Sequence, residues 1–107
     1  MNRRQRSRYN LQIQTKSKYD IVKKYIDQYD FMNLLALGAP DDEYSIEVDA
    51  ICERLPDKFS AKEIAQIVLE VFEYEFSENL IESGYGNALV EMSIKLHDEL
   101  CGFAYHL

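Results

Sequence analysis

His97 and Cys101 stand four residues apart, the spacing at which two side chains on one helix face can touch. A thiol becomes a nucleophile when a neighbouring imidazole takes its proton. The flanking sequence supplies no third group to orient the imidazole and no evident oxyanion donors, and Cys101 reads as buried, so no catalytic role is assigned. His97, Asp98 and Glu99 are consecutive. On a helix they point three ways round the axis and cannot gather on one metal ion. Asp41, Asp42 and Glu43 bear a superficial likeness to a cation loop. Calcium loops alternate their oxygen ligands over about twelve residues around a turn glycine, and that pattern is absent. The three acids suit the approach to a helix, whose N-terminus attracts negative charge. Gly84-Tyr85-Gly86 lacks the Lys-Ser/Thr that would follow a phosphate loop, and reads as a turn. Cys52 and Cys101, the two cysteines, form no Cys-x-x-Cys pair. They read as free thiols acting as small hydrophobes. The expectation is a protein without catalytic residues, cofactor or metal.

Charge is the stronger signal. The 107 residues carry 12 Lys and Arg against 19 Asp and Glu, a net charge of −7. Residues 1–18 hold six of the basic side chains (Arg3, Arg4, Arg6, Arg8, Lys16, Lys18) and no acid. Residues 19–107 therefore carry six bases and 19 acids, a net −13. Such a body repels nucleic acid and lipid headgroups and attracts basic proteins. The basic arm reads as a solvated tail, with weak phosphate contact as its one route to nucleic acid. Eight tyrosines accompany the acids, as in Tyr29-Asp30, Glu43-Tyr44 and Glu73-Tyr74-Glu75. These pairs could hold Lys and Arg of a partner by charge and by cation–π contact.

The elements that must position these groups follow from apolar spacing. At 47% hydrophobic and 29% charged, the chain suits one globular domain. Its longest uncharged apolar run, residues 31–40, is half of the roughly 20 residues that a helical span requires. No apolar segment follows the basic N-terminus, so no signal peptide is expected and a cytoplasmic location is. A first helix is predicted from Ser17 to about Tyr29, with Tyr19, Val22, Tyr25, Ile26 and Tyr29 on one face and Ser17 as its cap. An apolar connector, Phe31 to Leu35, leads to a loop marked by Gly38 and Pro40. A second helix is predicted from near Ser45 to Pro56, with Val48, Ile51, Cys52 and Leu55 inward. Ser60 and Glu63 form a capping box for a third, with Ile64, Ile67, Val68, Val71 and Phe72 inward. Glu70, Glu73, Glu75 and Glu78 crowd its far end, where the helix dipole disfavours acids. After the turn at residues 83–86, a last helix is predicted from about Asn87 to Cys101. Leu89, Met92, Leu96 and Leu100 form its stripe, Ile94 and Cys101 widen it, and Gly102 stops it. Residues 103–107 are apolar enough to pack back on the body. The fold class is all-α: a small bundle of about four helices over residues 17–107, preceded by an extended basic arm of residues 1–16.

Residues 19–78 also resemble a small bacterial family of uncharacterised helical proteins. The resemblance rests on Tyr25-Ile26-Asp27-Gln28-Tyr29-Asp30, then Leu34-Leu35 and Gly38-Ala39-Pro40-Asp41-Asp42-Glu43-Tyr44, with Ile51-Cys52-Glu53-Arg54-Leu55 and Val71-Phe72 downstream. Some similar proteins are immunity proteins, which neutralise toxins used in bacterial competition. The resemblance implies such a role and brings no catalytic residue with it. Many such toxins are nucleases, which are basic because their substrate is a polyanion. The expected partner is therefore a basic protein toxin, met by two acidic patches. One is Asp41, Asp42, Glu43 and Tyr44; the other is Glu70, Glu73, Glu75 and Glu78. The competing expectation is a cytosolic adaptor or regulatory interaction domain unrelated to toxins.

Overall fold

A computed structural model describes residues 17–105, with side chains through residue 102. The arm of residues 1–16 lies outside the described residues, as does the packing expected of residues 103–107. Helix α1 is Lys18–Tyr29. The Ser17 hydroxyl accepts from the Asp20 amide at 3.1 Å and starts it. Asp30 ends it in the left-handed region, at φ 47°. Its buried residues are Ile21, Val22 and Ile26. The expected stripe is therefore turned by about one residue: Ile21 lies at its centre and Tyr19, Tyr25 and Tyr29 lie at its margins. Tyrosine belongs there because its ring is apolar and its hydroxyl needs a polar partner. Tyr25 finds one in Glu99, to which it donates at 2.7 Å.

Helix α2 is Ser45–Arg54 and helix α3 is Ala61–Phe76. The capping box forms as expected: the Ser60 amide donates to Glu63 Oε1 at 2.8 Å, and the Glu63 amide donates to Ser60 Oγ at 3.1 Å. A wide turn, Ile81–Tyr85, then reverses the chain, with Gly84 at φ +96°. Only glycine enters that region without steric cost. Helix α4 is Gly86–Tyr105. It runs through Gly102, the expected stop, because a glycine inside a helix costs only about 1 kcal/mol and the residues that follow it are compatible with helix. On α4 the buried flank is Ser93, 1% exposed, whereas Ile94 is 49% exposed and does not widen the core as expected.

Consecutive helices pack against one another and α4 packs back on α1, closing a ring of four around one core. No strand occurs among the described residues, so the all-α bundle stands. Phe31 and Leu80, from connecting segments, are 2% and 0% exposed and fill the core's ends. Phe31 meets Phe72 and Tyr85 edge-on, each with ring centroids 5.7 Å apart. No helix among the described residues is long and apolar enough to cross a membrane.

Candidate interaction site

The connector between α1 and α2 is organised by Asp30 and Tyr44. Past the end of α1, the Asp30 carboxylate accepts from the Leu35 and Ala36 amides at 3.1 and 2.9 Å. It also accepts from the Tyr44 hydroxyl at 2.6 Å, and the same hydroxyl accepts from the Met32 amide at 3.1 Å. Desolvation opposes the charged form of Asp30, but hydrogen bonds from Tyr44, Ala36, Leu35 and Leu34 outweigh it and hold the carboxyl below its ordinary value. Burial, then the bond to Asp30, pushes the Tyr44 phenol well up. Tyr44 is 1% exposed. Its expected place on a partner-facing patch is therefore corrected: the ring is core and the hydroxyl is a clasp. The Gly-Ala-Pro-acidic-Tyr segment is thus held by its last residue, from inside.

The Tyr44 ring also sets the site. It packs on Phe72 and Phe76 of α3, with centroid distances of 5.9 and 6.4 Å. This places the first turn of α2 beside the last turn of α3. Asp41, Asp42 and Glu43, before α2, and Glu73 and Glu75, near the end of α3, are all exposed. Within the fields of Glu43 and Glu75 lies Glu47, 4% exposed, whose Oε1 is buried without a hydrogen-bond partner. Burial pushes its carboxyl up, and the negative fields of Glu75 and Glu43 push it further, against its own backbone amide. Glu43 and Glu75 thus bring the two expected patches together through Glu47, a residue the apolar-stripe reading missed. The signal was there: residues 44, 47, 48, 51 and 55 share the i, i+3, i+4 spacing of a buried face.

The other expected residues divide. Glu70 pairs with Arg54 and accepts from Gln66 Nε2 at 2.6 Å. Glu78 accepts from the Ser83 hydroxyl across the turn. These two brace the bundle rather than extend the acidic site. Tyr74, between Glu73 and Glu75, is 85% exposed. The tyrosine–acid pairing expected there lies at the surface, whereas the one at Glu43-Tyr44 does not. Lys23 donates to the Asp41 carbonyl at 2.8 Å and anchors the acidic loop to α1.

His97 and Cys101 do meet, with Sγ 3.4 Å from Nε2. The same Nε2 lies 3.2 Å from the Phe59 carbonyl. A carbonyl only accepts, so this contact requires the proton on Nε2, and that nitrogen is then no base toward the thiol. Both cysteines are free and half-buried, so Cys101 is less enclosed than expected. Burial pushes the Cys52 thiol up to about 11. Among the described residues, no three His, Cys, Asp or Glu side chains are placed to hold a metal ion. A cleft of 320 Å³ between α3 and α4 is lined mainly by Ala65, Leu69, Ile81, Leu89 and Val90, with Lys62 and Gln66 at its edge. It offers an apolar surface and no acid–base pair. No family model, curated protein or solved structure matches this chain.

Proposed function

We propose that this protein is a non-enzymatic cytoplasmic immunity protein that binds and neutralises a basic protein toxin, a nuclease by charge, through the acidic surface where α2 begins and α3 ends. The observation that carries the reading is the convergence of Glu43, from the acidic loop, and Glu75, from the end of α3, on the buried Glu47. Like charges gathered on one surface repel one another, and a cationic partner relieves that repulsion on binding. Exposed Tyr74 adds a large rigid side chain of the kind enriched at interfaces. Exposed Ile46, in the first turn of α2, adds apolar area beside the acids. The bacterial resemblance over residues 19–78 supports the same role. An acidic surface of this kind imitates a polyanion and accelerates encounter with a basic protein.

The test is co-purification of the tagged full chain with the product of the neighbouring open reading frame, followed by toxicity assays and association kinetics. The expected result is a one-to-one basic partner whose toxicity is suppressed. Reversal of Glu43 and Glu75 to lysine should slow association by about tenfold at low salt, while reversal of Glu82 changes it far less. Association insensitive to both reversals at low salt would overturn the electrostatic mechanism. Recovery of a housekeeping protein whose activity the chain regulates would replace the immunity reading with an adaptor.

A further inference from the structure

The acidic surface has one feature that a merely solvated acidic face does not need. Glu47 is 4% exposed, and its Oε1 has no hydrogen-bond partner. A buried carboxylate oxygen without a donor is costly, and most buried polar atoms in folded chains are satisfied. Within the described residues, the charges acting on Glu47 are Glu43 on the preceding turn and Glu75 on α3, both negative. Two cations of α1 and α2 are engaged elsewhere: Lys23 with Asp27 and the Asp41 carbonyl, and Arg54 with Glu70. Glu43 and Glu75 are exposed, so both can reorient toward an incoming group.

We propose that Glu47, Glu43 and Glu75 form a socket for one arginine side chain of the partner, with the unsatisfied Glu47 oxygen as its floor. This deepens the immunity reading, and rests on it only for the partner being a basic protein. The chemistry selects a guanidinium. The carboxylates do not form a set that could hold a metal ion. A planar cation with five N–H donors can satisfy acceptors that are spread apart, and it sheds water more readily than an ammonium. An entering guanidinium supplies the missing donor to Glu47 Oε1 and offsets the repulsion among three like charges. Truncating one partner of such a buried pair is costly because the other charge is left unmatched.

The probe is a capped tetra-arginine peptide, with its tetra-citrulline and tetra-lysine counterparts, titrated into the purified full chain by calorimetry and carboxyl-carbon NMR. Glu47→Gln and Glu82→Gln remove the same charge, one at the socket and one on the remote turn. The expected result is about tenfold weaker tetra-arginine binding for Glu47→Gln, a change under about twofold for Glu82→Gln, and no binding of the citrulline peptide. The Glu47 carboxyl should titrate at lower pH when the arginine peptide is bound. Glu43→Gln and Glu75→Gln, at exposed positions that leave the core intact, should each weaken binding by about threefold. Equal losses for Glu47→Gln and Glu82→Gln would overturn the socket, as would equal affinity for the lysine peptide. Peptide binding that emerges only when Arg3, Arg4, Arg6 and Arg8 are replaced by serine would assign the socket to the chain's own arm and overturn the partner assignment. Toxin neutralisation that ignores Glu47→Gln removes the socket and leaves the immunity reading. A functioning socket in a protein that binds no toxin does the reverse.

Discussion

Tyr44 does three things at once. Its ring fills the gap between α2 and α3, its hydroxyl donates to Asp30, and that hydroxyl accepts from Met32. Tyr44→Phe keeps the ring and deletes the two hydrogen bonds. It leaves the Met32 amide without its acceptor and Asp30 short of one donor. The expected loss is about 1–3 kcal/mol, because buried groups left unpaired pay their full desolvation. Urea denaturation checks it: an unchanged midpoint would mean that water replaces the hydroxyl in both bonds. A loss through stability alone, with toxin association rates unaltered, is the signature of a clasp rather than a contact residue. The sequence pairs Tyr44 with Glu43, which suggested a partner-facing site. Nothing in that local pattern distinguishes a tyrosine facing solvent from one facing Phe72 and Phe76.

At the scale of elements, the most legible feature was the start of α3. Ser60 and Glu63 are three residues apart and satisfy each other's amides, a local exchange independent of the rest of the fold. Ser60→Ala should cost about 1 kcal/mol, read as a lower midpoint in thermal or urea unfolding, and Ser60→Asp should restore most of it. If alanine is neutral, tertiary packing rather than the cap secures this end of the helix. Helix ends set by long-range context were less legible. Gly102 has the residue type of a stop, but α4 passes through it and continues to Tyr105. The flank of α4 was misjudged for a related reason. Ile94 is more apolar than Ser93, yet the packed face of α4 buries the serine and leaves Ile94 half exposed.

For the whole molecule, Glu47 and Asp30 pull the response to pH in opposite directions, and Glu70 and Glu91, lowered by their hydrogen-bond partners, act at the surface in the same sense as Asp30. The folded state raises Glu47 above its ordinary 4.5 and lowers Asp30 below its ordinary 3.8. The proton on Glu47 is held more tightly in the folded chain, so the stability it contributes is complete below the unfolded value and is lost as pH rises through the folded one. Asp30 behaves in the opposite sense. Its contribution is present above the unfolded value and is lost as pH falls through the folded one. Lowering pH from 7 should therefore stabilise the protein at first, aided by relief of the −7 net charge, and destabilise it below about pH 4. Urea midpoints across this range give the test. Glu47→Gln should flatten the upper limb and Asp30→Asn the lower. A midpoint that falls steadily from pH 7 downward would remove the role given to Glu47.

The sequence by itself determined the all-α class, four helices close to their observed places, the capping box, a turn around Gly84 and the acidity of the body. These depend on local periodicity, on residues three or four apart, and on a sum of charges that folding does not alter. Only the tertiary structure decided which acids act together. Glu43 and Glu75 lie 32 positions apart in the chain, and the packing of Tyr44 on Phe76 brings their segments together. The same packing draws Glu70 to Arg54 and away from the site, and buries Glu47 between its neighbours. Charge is a property of residues, but the field at a point depends on where the chain places them, and that placement is set by long-range apolar contacts.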